Sequence, residues 1–209
     1  MGIKDIYAAV LEFDSDQVVK LVKDEISRGT EIQVILNDGL ISAMDEVGKR
    51  FSEGELFVPE MLLAAQAMKA GLDQLKPHMK QEDSSTKGTI VIGTVKGDLH
   101  DIGKNLVAMM MEGAGFEVID LGIDVDTEKF IQAAEEHKAD IICMSALLTT
   151  TMPEMKVVVD TLKERGLNYK TMVGGAPVSQ EFADQIGADG YSPDAPSAVE
   201  KARLLISDK

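Results

Sequence analysis

The chain has 209 residues, 44% of them hydrophobic and 27% charged, enough for two small domains or one of ordinary size. A formal charge of −15 excludes a broad nucleic-acid surface, which needs clustered Lys and Arg, and no stretch approaches the roughly 18 to 20 apolar residues of a membrane span. The single cysteine, Cys143, excludes an internal disulfide and any thiolate metal cluster made by one chain.

At the start, Met1-Gly2-Ile3-Lys4-Asp5 lacks the basic stretch and apolar run of a signal peptide, and Asp5-Ile6 does not supply the Ser or Thr of a myristoylation motif. The expected compartment is the cytoplasm. Residues 1–80 then read as helix throughout. Ile6, Val10, Val18, Leu21, Val22 and Ile26 recur at helical spacing, with Asp14-Ser15-Asp16 offering an N-cap between two short helices. A further helical stretch carries Ile32, Ile35, Leu36, Leu40, Met44 and Val47 and breaks at Phe51-Ser52-Glu53-Gly54-Glu55. Pro59 and Glu60 suit the first turn of a long helix through about Met79, with Leu62, Ala65, Met68, Leu72 and Leu75 on one face. This pattern predicts an N-terminal bundle of four to five helices. Residues 81–87, with no apolar residue, read as the linker.

The rhythm changes at residue 88. Thr89 to Val95 is a β-branched run of the kind buried on both faces of a sheet. Strands are expected at 117–121, 140–144, 169–173 and 189–191, alternating with helices near 103–114, 126–138, 153–165, 178–187 and from 195. Such alternation predicts a C-terminal α/β domain over 88–209, a flavodoxin-like, five-stranded parallel sheet in the order 2-1-3-4-5. Ligands of such sheets sit beyond the carboxyl ends of the strands. The chemistry is therefore expected in the loops at 96–103, 145–152 and 174–178. Cys143 and the 12 methionines read as core, the latter soft and polarisable. His78 and His137 read as surface.

The first of those loops is Gly97-Asp98-Leu99-His100-Asp101-Ile102-Gly103-Lys104-Asn105. Gly97 and Gly103 free the backbone to turn and approach a ligand. His100 can ligate a transition metal through one ring nitrogen while Asp98 accepts a hydrogen bond from the other. A helix-capping histidine beside a turn aspartate is the plainer alternative. Asp101 and Lys104 read as surface or helix-start residues. The second loop contains Ser145, Leu147, Thr149 and Thr151; the third contains Gly174, Gly175 and Ala176.

Asp-x-His-x-x-Gly, then Ser-x-Leu, then Gly-Gly resembles the signature of the cobalamin-binding domains of methionine synthase and related proteins. The intervening stretches, 104–144 and 148–173, have the lengths of the family pattern. Met44 to Phe51 and Gly54 to Met68 resemble the helical cap domain of the same proteins. Taken together, the chain resembles the small corrinoid proteins of the methylamine, betaine, methanol and methoxyaromatic methyltransferase systems.

The resemblance implies a cobalamin or related corrinoid held base-off, with His100 as the lower cobalt ligand. The cofactor-binding positions it implies are Gly97, Asp98, His100, Asp101, Ile102, Gly103, Ser145, Leu147, Thr149, Thr151, Gly174, Gly175 and Ala176. The nucleotide tail would run past Ser145 and the Gly174–Gly175 turn. Asp98 would orient His100, and Thr151 would supply the hydroxyl behind it, with Thr149 as the second choice. Val47, Gly48, Phe51, Val58, Glu60, Met61 and Met68 are candidates for a lid over the upper corrin face.

The function so implied is a methyl shuttle and not an enzyme complete in itself. It would accept a methyl group onto cob(I)alamin from a substrate-specific methyltransferase and deliver it to a second methyltransferase serving tetrahydrofolate or coenzyme M. A reductive activation protein is a further implied partner; nucleic acid and membrane are not. Two alternatives remain: the cobalamin subunit of a radical mutase, and a cobalamin-dependent transcriptional sensor. The Val-Gly-x-x-Phe and Pro-Glu-Met segments favour methyl transfer over the first. A missing basic recognition helix and the negative charge weigh against the second.

Overall fold

The computed structural model describes residues 2–78 and 87–207. The linker expected at 81–87 lies, apart from Lys87, outside the described residues. Two compact units are present: the helices up to His78 together with Glu112–Gly115 form the first, and the rest of the chain forms the second.

In the first unit, α1 (Ile3–Leu11) and α2 (Ser15–Ser27) are separated by Asp14, whose carboxylate accepts from the Gln17 amide and so caps α2. The stretch expected as one α-helix is more complex. It opens as α3 (Ile32–Val34), loosens into a π-helical turn over Ile35–Ile41 and tightens again as α4 (Ser42–Ser52). Helix α5 (Val58–Leu75) gives way to a 3-10 turn at Lys76–His78, short of the predicted end, because Pro77 cannot donate to the α-helical ladder.

The unit is closed by apolar burial. Ile6, Val10, Val18, Leu21, Val22, Leu40, Ala64, Met68 and Leu75 are removed from water. Gly71 lets α5 approach closely, since a Cβ there would lie 2.7 Å from Val18 Cγ1 and 3.0 Å from Leu40 Cδ2.

The second unit is a five-stranded parallel sheet in the order β2-β1-β3-β4-β5, as expected, with β1 Thr89–Thr94, β2 Glu117–Asp120, β3 Ile141–Ser145, β4 Lys170–Gly174 and β5 Gly190–Tyr191. Every residue of β1 is buried, whereas β2, at the sheet edge, is half-exposed. The crossovers are α6 (Ile102–Gly113), α7 (Thr127–Glu136), α8 (Pro153–Glu164) and α9 (Gln180–Ile186), with α10 (Ala195–Ser207) after β5. Val91, Ile142, Met144 and Val173 pack with Phe130, Val158 and Leu162 on one face. Gly93 gives room for the Phe130 ring, which a Cβ would approach to 3.0 Å.

Register does the positioning. Thr94 pairs with Ser145, and Ser145 with Gly174, so the last residues of three central strands lie side by side. The loops that follow them emerge together at the carboxyl edge. Cys143 is buried within β3, and desolvation pushes its thiol up to about 12, which makes it a core residue and not a nucleophile. His78 and His137 are exposed.

Candidate functional site: a histidine at the carboxyl edge of the sheet

Asp98 is the centre of the site. The turn after β1 brings it inward to zero exposure, where a carboxylate must be paired or hydrogen-bonded. Its Oδ1 accepts from His100 Nδ1 at 2.7 Å and from the His100 amide at 3.1 Å. Its Oδ2 accepts from the amides of Leu147 at 2.8 Å and Leu148 at 3.3 Å, and from Thr151 Oγ1 at 2.7 Å. Burial pushes this carboxyl up. The bonds from Thr151, Leu147 and His100 outweigh that and hold it well below the usual carboxylate range. It is therefore the charged acceptor of the group.

That charge decides the state of the imidazole. An ionised carboxylate at Nδ1 requires a proton there, so neutral His100 carries its lone pair on Nε2. The His100 side chain is half-exposed, and among the described residues no protein group takes Nε2. Thr151 has one hydroxyl proton and two acceptors in reach, Asp98 Oδ2 at 2.7 Å and the Leu148 carbonyl at 2.9 Å. The shorter bond, to a charged oxygen, is the stronger. Thr149 is exposed. The hydroxyl behind Asp98 belongs to Thr151.

Around this centre large apolar side chains stand in water: Leu99 at 67% exposure, Ile102 at 81%, and Ile123, Leu147 and Leu148 at about 40% each. Apolar side chains grouped at a loop edge around a free imidazole nitrogen mark a binding surface. Gly97, Asp101, Gly103 and Ala176 are exposed at the same edge, and Ser145 is half-buried. Gly97 is at φ +79°, and a Cβ at Gly103 would meet nothing within 4 Å.

Gly175 has a purpose within the protein itself. At φ +132° its Cβ would fall 1.8 Å from the Ala146 carbonyl oxygen, and the Ala146 amide donates to Gly174 O at 3.2 Å. Glycine is required there for the second and third loops to touch, whatever else passes beside them.

Of the two places expected for Lys104, surface or helix start, the second holds and the first does not. It is 2% exposed, and its ammonium reaches both carboxylate oxygens of Asp120 and the Asn105 side chain, each at 2.6 Å. Asp120 ends β2 and Lys104 lies in the first turn of α6, so the pair ties the helix that follows the histidine loop to the sheet. Asp101 is exposed as expected, and accepts from the Asn105 side chain at 3.1 Å.

The loop after β2 did not figure among the expected site loops, yet it clamps the first one. Asp124, at φ +53°, accepts from the Gly97 amide at 2.7 Å and donates its own amide to the Asp98 carbonyl at 3.1 Å. A non-glycine residue in that region of φ is uncommon and tends to occur at functional turns. The position of Asp124, past the carboxyl end of a strand, was the available sequence signal. Of the lid candidates, Val47, Gly48, Met61 and Met68 are buried, Val58 is exposed, and Phe51 and Glu60 are half-buried.

A lone histidine suits a metal that brings most of its ligands with it. Among the described residues no cluster of three or more His, Cys, Asp or Glu could hold a bare ion. A free Nε2 with a carboxylate behind Nδ1, set among exposed apolar side chains, could give one ligand to a metal carried in an apolar macrocycle.

Both halves of the chain match known families. Residues 88–200 match the family described as B12 binding domain, and residues 3–76 match a second model of that description. The chain belongs to this family, that of the corrinoid proteins with a B12 binding domain and a helical N-terminal domain. It is 44% identical over 202 residues to trimethylamine corrinoid protein 1 of Methanosarcina acetivorans, covering 95% of this chain and 94% of that one. With the dimethylamine corrinoid protein of Methanosarcina barkeri it shares 46% identity over 209 residues, 98% of this chain and 97% of the other. Among solved structures it resembles a chain of the methanol:cobalamin methyltransferase complex of Methanosarcina barkeri, with a TM-score of 0.89 at 34% identity, covering 99% of this chain and 80% of that one. A cobalamin-binding protein from Desulfitobacterium hafniense matches with a TM-score of 0.82 at 32% identity, over 98% of both chains. Among the described residues no helix is long and apolar enough to cross a membrane.

Proposed function

We propose that this chain is a methyl-carrying corrinoid protein, with His100 as the lower cobalt ligand and the corrinoid held base-off. Residues 88–209 are the corrinoid-binding domain in this reading and residues 1–80 the helical cap. The observation that carries it is the bonded set Thr151–Asp98–His100, which leaves Nε2 as the one unassigned polar atom of the imidazole. A bound corrinoid would supply a cobalt centre able to accept and give up a methyl group.

The chain's own residues provide the setting. Asp98 fixes the tautomer and aim of His100 and raises the basicity of Nε2. Leu99, Ile102, Leu147 and Leu148 offer apolar contact to the macrocycle. A proton delivered to Asp98 Oδ2 would turn the Thr151 hydroxyl to the Leu148 carbonyl, 2.9 Å away, and weaken the hold on His100. The ligand would thereby be easier to release when the cobalt no longer favours it. Ser145, Gly174, Gly175 and Ala176 lie where the nucleotide tail is proposed to pass.

The proposed task is carriage between two enzymes in the cytoplasm: a methyltransferase that selects the donor, and a second that serves tetrahydrofolate or coenzyme M. A reductive activator would restore the carrier after accidental oxidation. Relatives named for trimethylamine and dimethylamine support methylated amines as donors, and the likeness to a chain of a methanol:cobalamin methyltransferase complex supports a methyltransferase partner.

The test is direct. Protein mixed with hydroxocobalamin should keep a red chromophore through gel filtration, and His100→Ala should change the visible spectrum of the bound cobalt(III) form. A colourless protein peak would refute corrinoid binding, and an unchanged spectrum would refute ligation by His100.

A further inference from the structure

The proposed ligand has three polar groups besides Nε2, and each is tied. Its amide and Nδ1 go to Asp98. Its carbonyl accepts from Thr94 Oγ1 at 2.8 Å. Thr94 is the last residue of β1 and is fully buried, at 0% exposure. Its hydroxyl is the one polar side chain in the run Ile90-Val91-Ile92-Gly93-Thr94-Val95. A valine would fill the same space in a buried strand, so packing alone does not call for threonine here.

Thr94 is itself held on both sides. Its amide donates to the Gly122 carbonyl at 2.9 Å, its carbonyl accepts from Val125 at 3.0 Å, and it stands in register with Ser145 of β3. The sheet therefore reaches His100 through two opposed contacts. Asp98 holds the ring and the N-terminal side, and Thr94 holds the C-terminal side from beneath. With only the first, the imidazole could swing with its loop about Asp98; with both, the direction of Nε2 is set.

We infer that Thr94 is a positioning residue for the corrinoid ligand, acting through the carbonyl of His100 to aim Nε2. The inference rests on the reading of His100 as the lower ligand. Sites of this kind demand placement within roughly 0.5 Å, a tolerance a loop alone does not meet.

The experiment compares Thr94→Val, Thr94→Ser and Thr94→Ala with wild type and His100→Ala, each loaded with hydroxocobalamin and reduced to cobalt(II). Electron paramagnetic resonance of protein carrying 15N-histidine reads the fraction of cobalt split by the protein's imidazole, apart from the 14N splitting of the cofactor's own benzimidazole. Affinity for hydroxocobalamin, by equilibrium dialysis, is the second readout, and circular dichroism of the unloaded proteins checks folding. Thr94→Val is expected to lower the ratio of ligated to unligated cobalt by roughly three- to tenfold, the range set by losing one hydrogen bond. Thr94→Ser, which keeps the hydroxyl, is expected to retain it.

Wild-type ligation in Thr94→Val overturns the inference, as does a loss in Thr94→Ser equal to that in Thr94→Val. Should Thr94→Val not fold, the other pair decides: ligation kept in Thr94→Ser and lost in Thr94→Ala supports the role, and equal values overturn it. An unshifted His100→Ala overturns the ligand assignment and this inference with it. A shifted His100→Ala beside an unshifted Thr94→Val overturns the Thr94 role alone.

Discussion

The helical unit and the carboxyl edge of the α/β unit are stabilised by different means. The helical unit relies chiefly on apolar burial and on glycine where elements cross closely, as at Gly71, with Glu25, bonded to Arg28 and Thr30, its one buried charged side chain among the described residues. The carboxyl edge of the α/β unit does the reverse. It buries a carboxylate and an ammonium, Asp98 and Lys104, and leaves Leu99 and Ile102 in water. Packing of the first kind tolerates substitution by volume, whereas a buried polar network tolerates it only by chemistry. Binding surfaces are found where a fold departs from its own rule of apolar inside and polar outside.

That contrast can be broken by experiment. Gly175→Ala is expected to be the most damaging change. The new Cβ would meet backbone, which cannot swing aside, at a φ that suits glycine. The loss should be about 3 kcal/mol or more in a denaturant melt, and hydroxocobalamin binding should fall with it. A melt close to wild type would show that the second and third loops can part, and that glycine at 175 serves the ligand instead.

Asp98→Ala should cost roughly 2–3 kcal/mol, since it takes the acceptor away from the His100 and Leu147 amides and leaves the Thr151 hydroxyl only the Leu148 carbonyl. The pH dependence sharpens the point. Because the folded carboxyl titrates below its unfolded value, its stabilisation is full above the ordinary carboxylate range. It is lost as pH falls from there toward the lowered folded value. The wild type should therefore lose stability on acidification more steeply than Asp98→Asn. Parallel acid profiles would contradict the charged reading of this site.

Gly71→Ala, in the helical unit, should cost about 1–2 kcal/mol. Its Cβ would press on the ends of Val18 and Leu40 side chains, which can shift. If it proved as harmful as Gly175→Ala, the distinction between adaptable packing and rigid loop contact would fail. Cys143 should show the least effect: a maleimide at pH 8 should leave the folded protein unlabelled and label it after unfolding, because burial suppresses the thiolate. Labelling of the native protein would show that the core of this unit opens.

Periodicity carried most of the fold. The β-branched run at 89–95 and the alternation after it yield the strand order, since a parallel sheet with short crossovers leaves few topologies. Element ends were less legible. The π-turn at Ile35–Ile41 has the same apolar spacing as an α-helix, and its difference lies in hydrogen-bond partners that no residue pattern states. Within the site, Asp98 and His100 were readable as a carboxylate beside a candidate metal ligand, but it was the resemblance to the cobalamin-binding pattern that singled them out and that implied Thr151. Lys104, Asp124 and Thr94 were not readable, because each is common in its local setting and becomes particular only through a partner many residues away or across a turn.

Residue pattern was enough to give helices followed by a parallel α/β sheet, and to put a histidine and a nearby aspartate in the first loop at its carboxyl edge. Tertiary structure alone decided how that histidine is held. Asp124, Thr151 and the Leu147 amide reach its loop from other segments of the chain, and strand register brings them there. The physical reason is that local propensity acts within a turn of helix or a stretch of strand. The aim of a side chain depends instead on hydrogen bonds between residues whose proximity only the finished sheet creates.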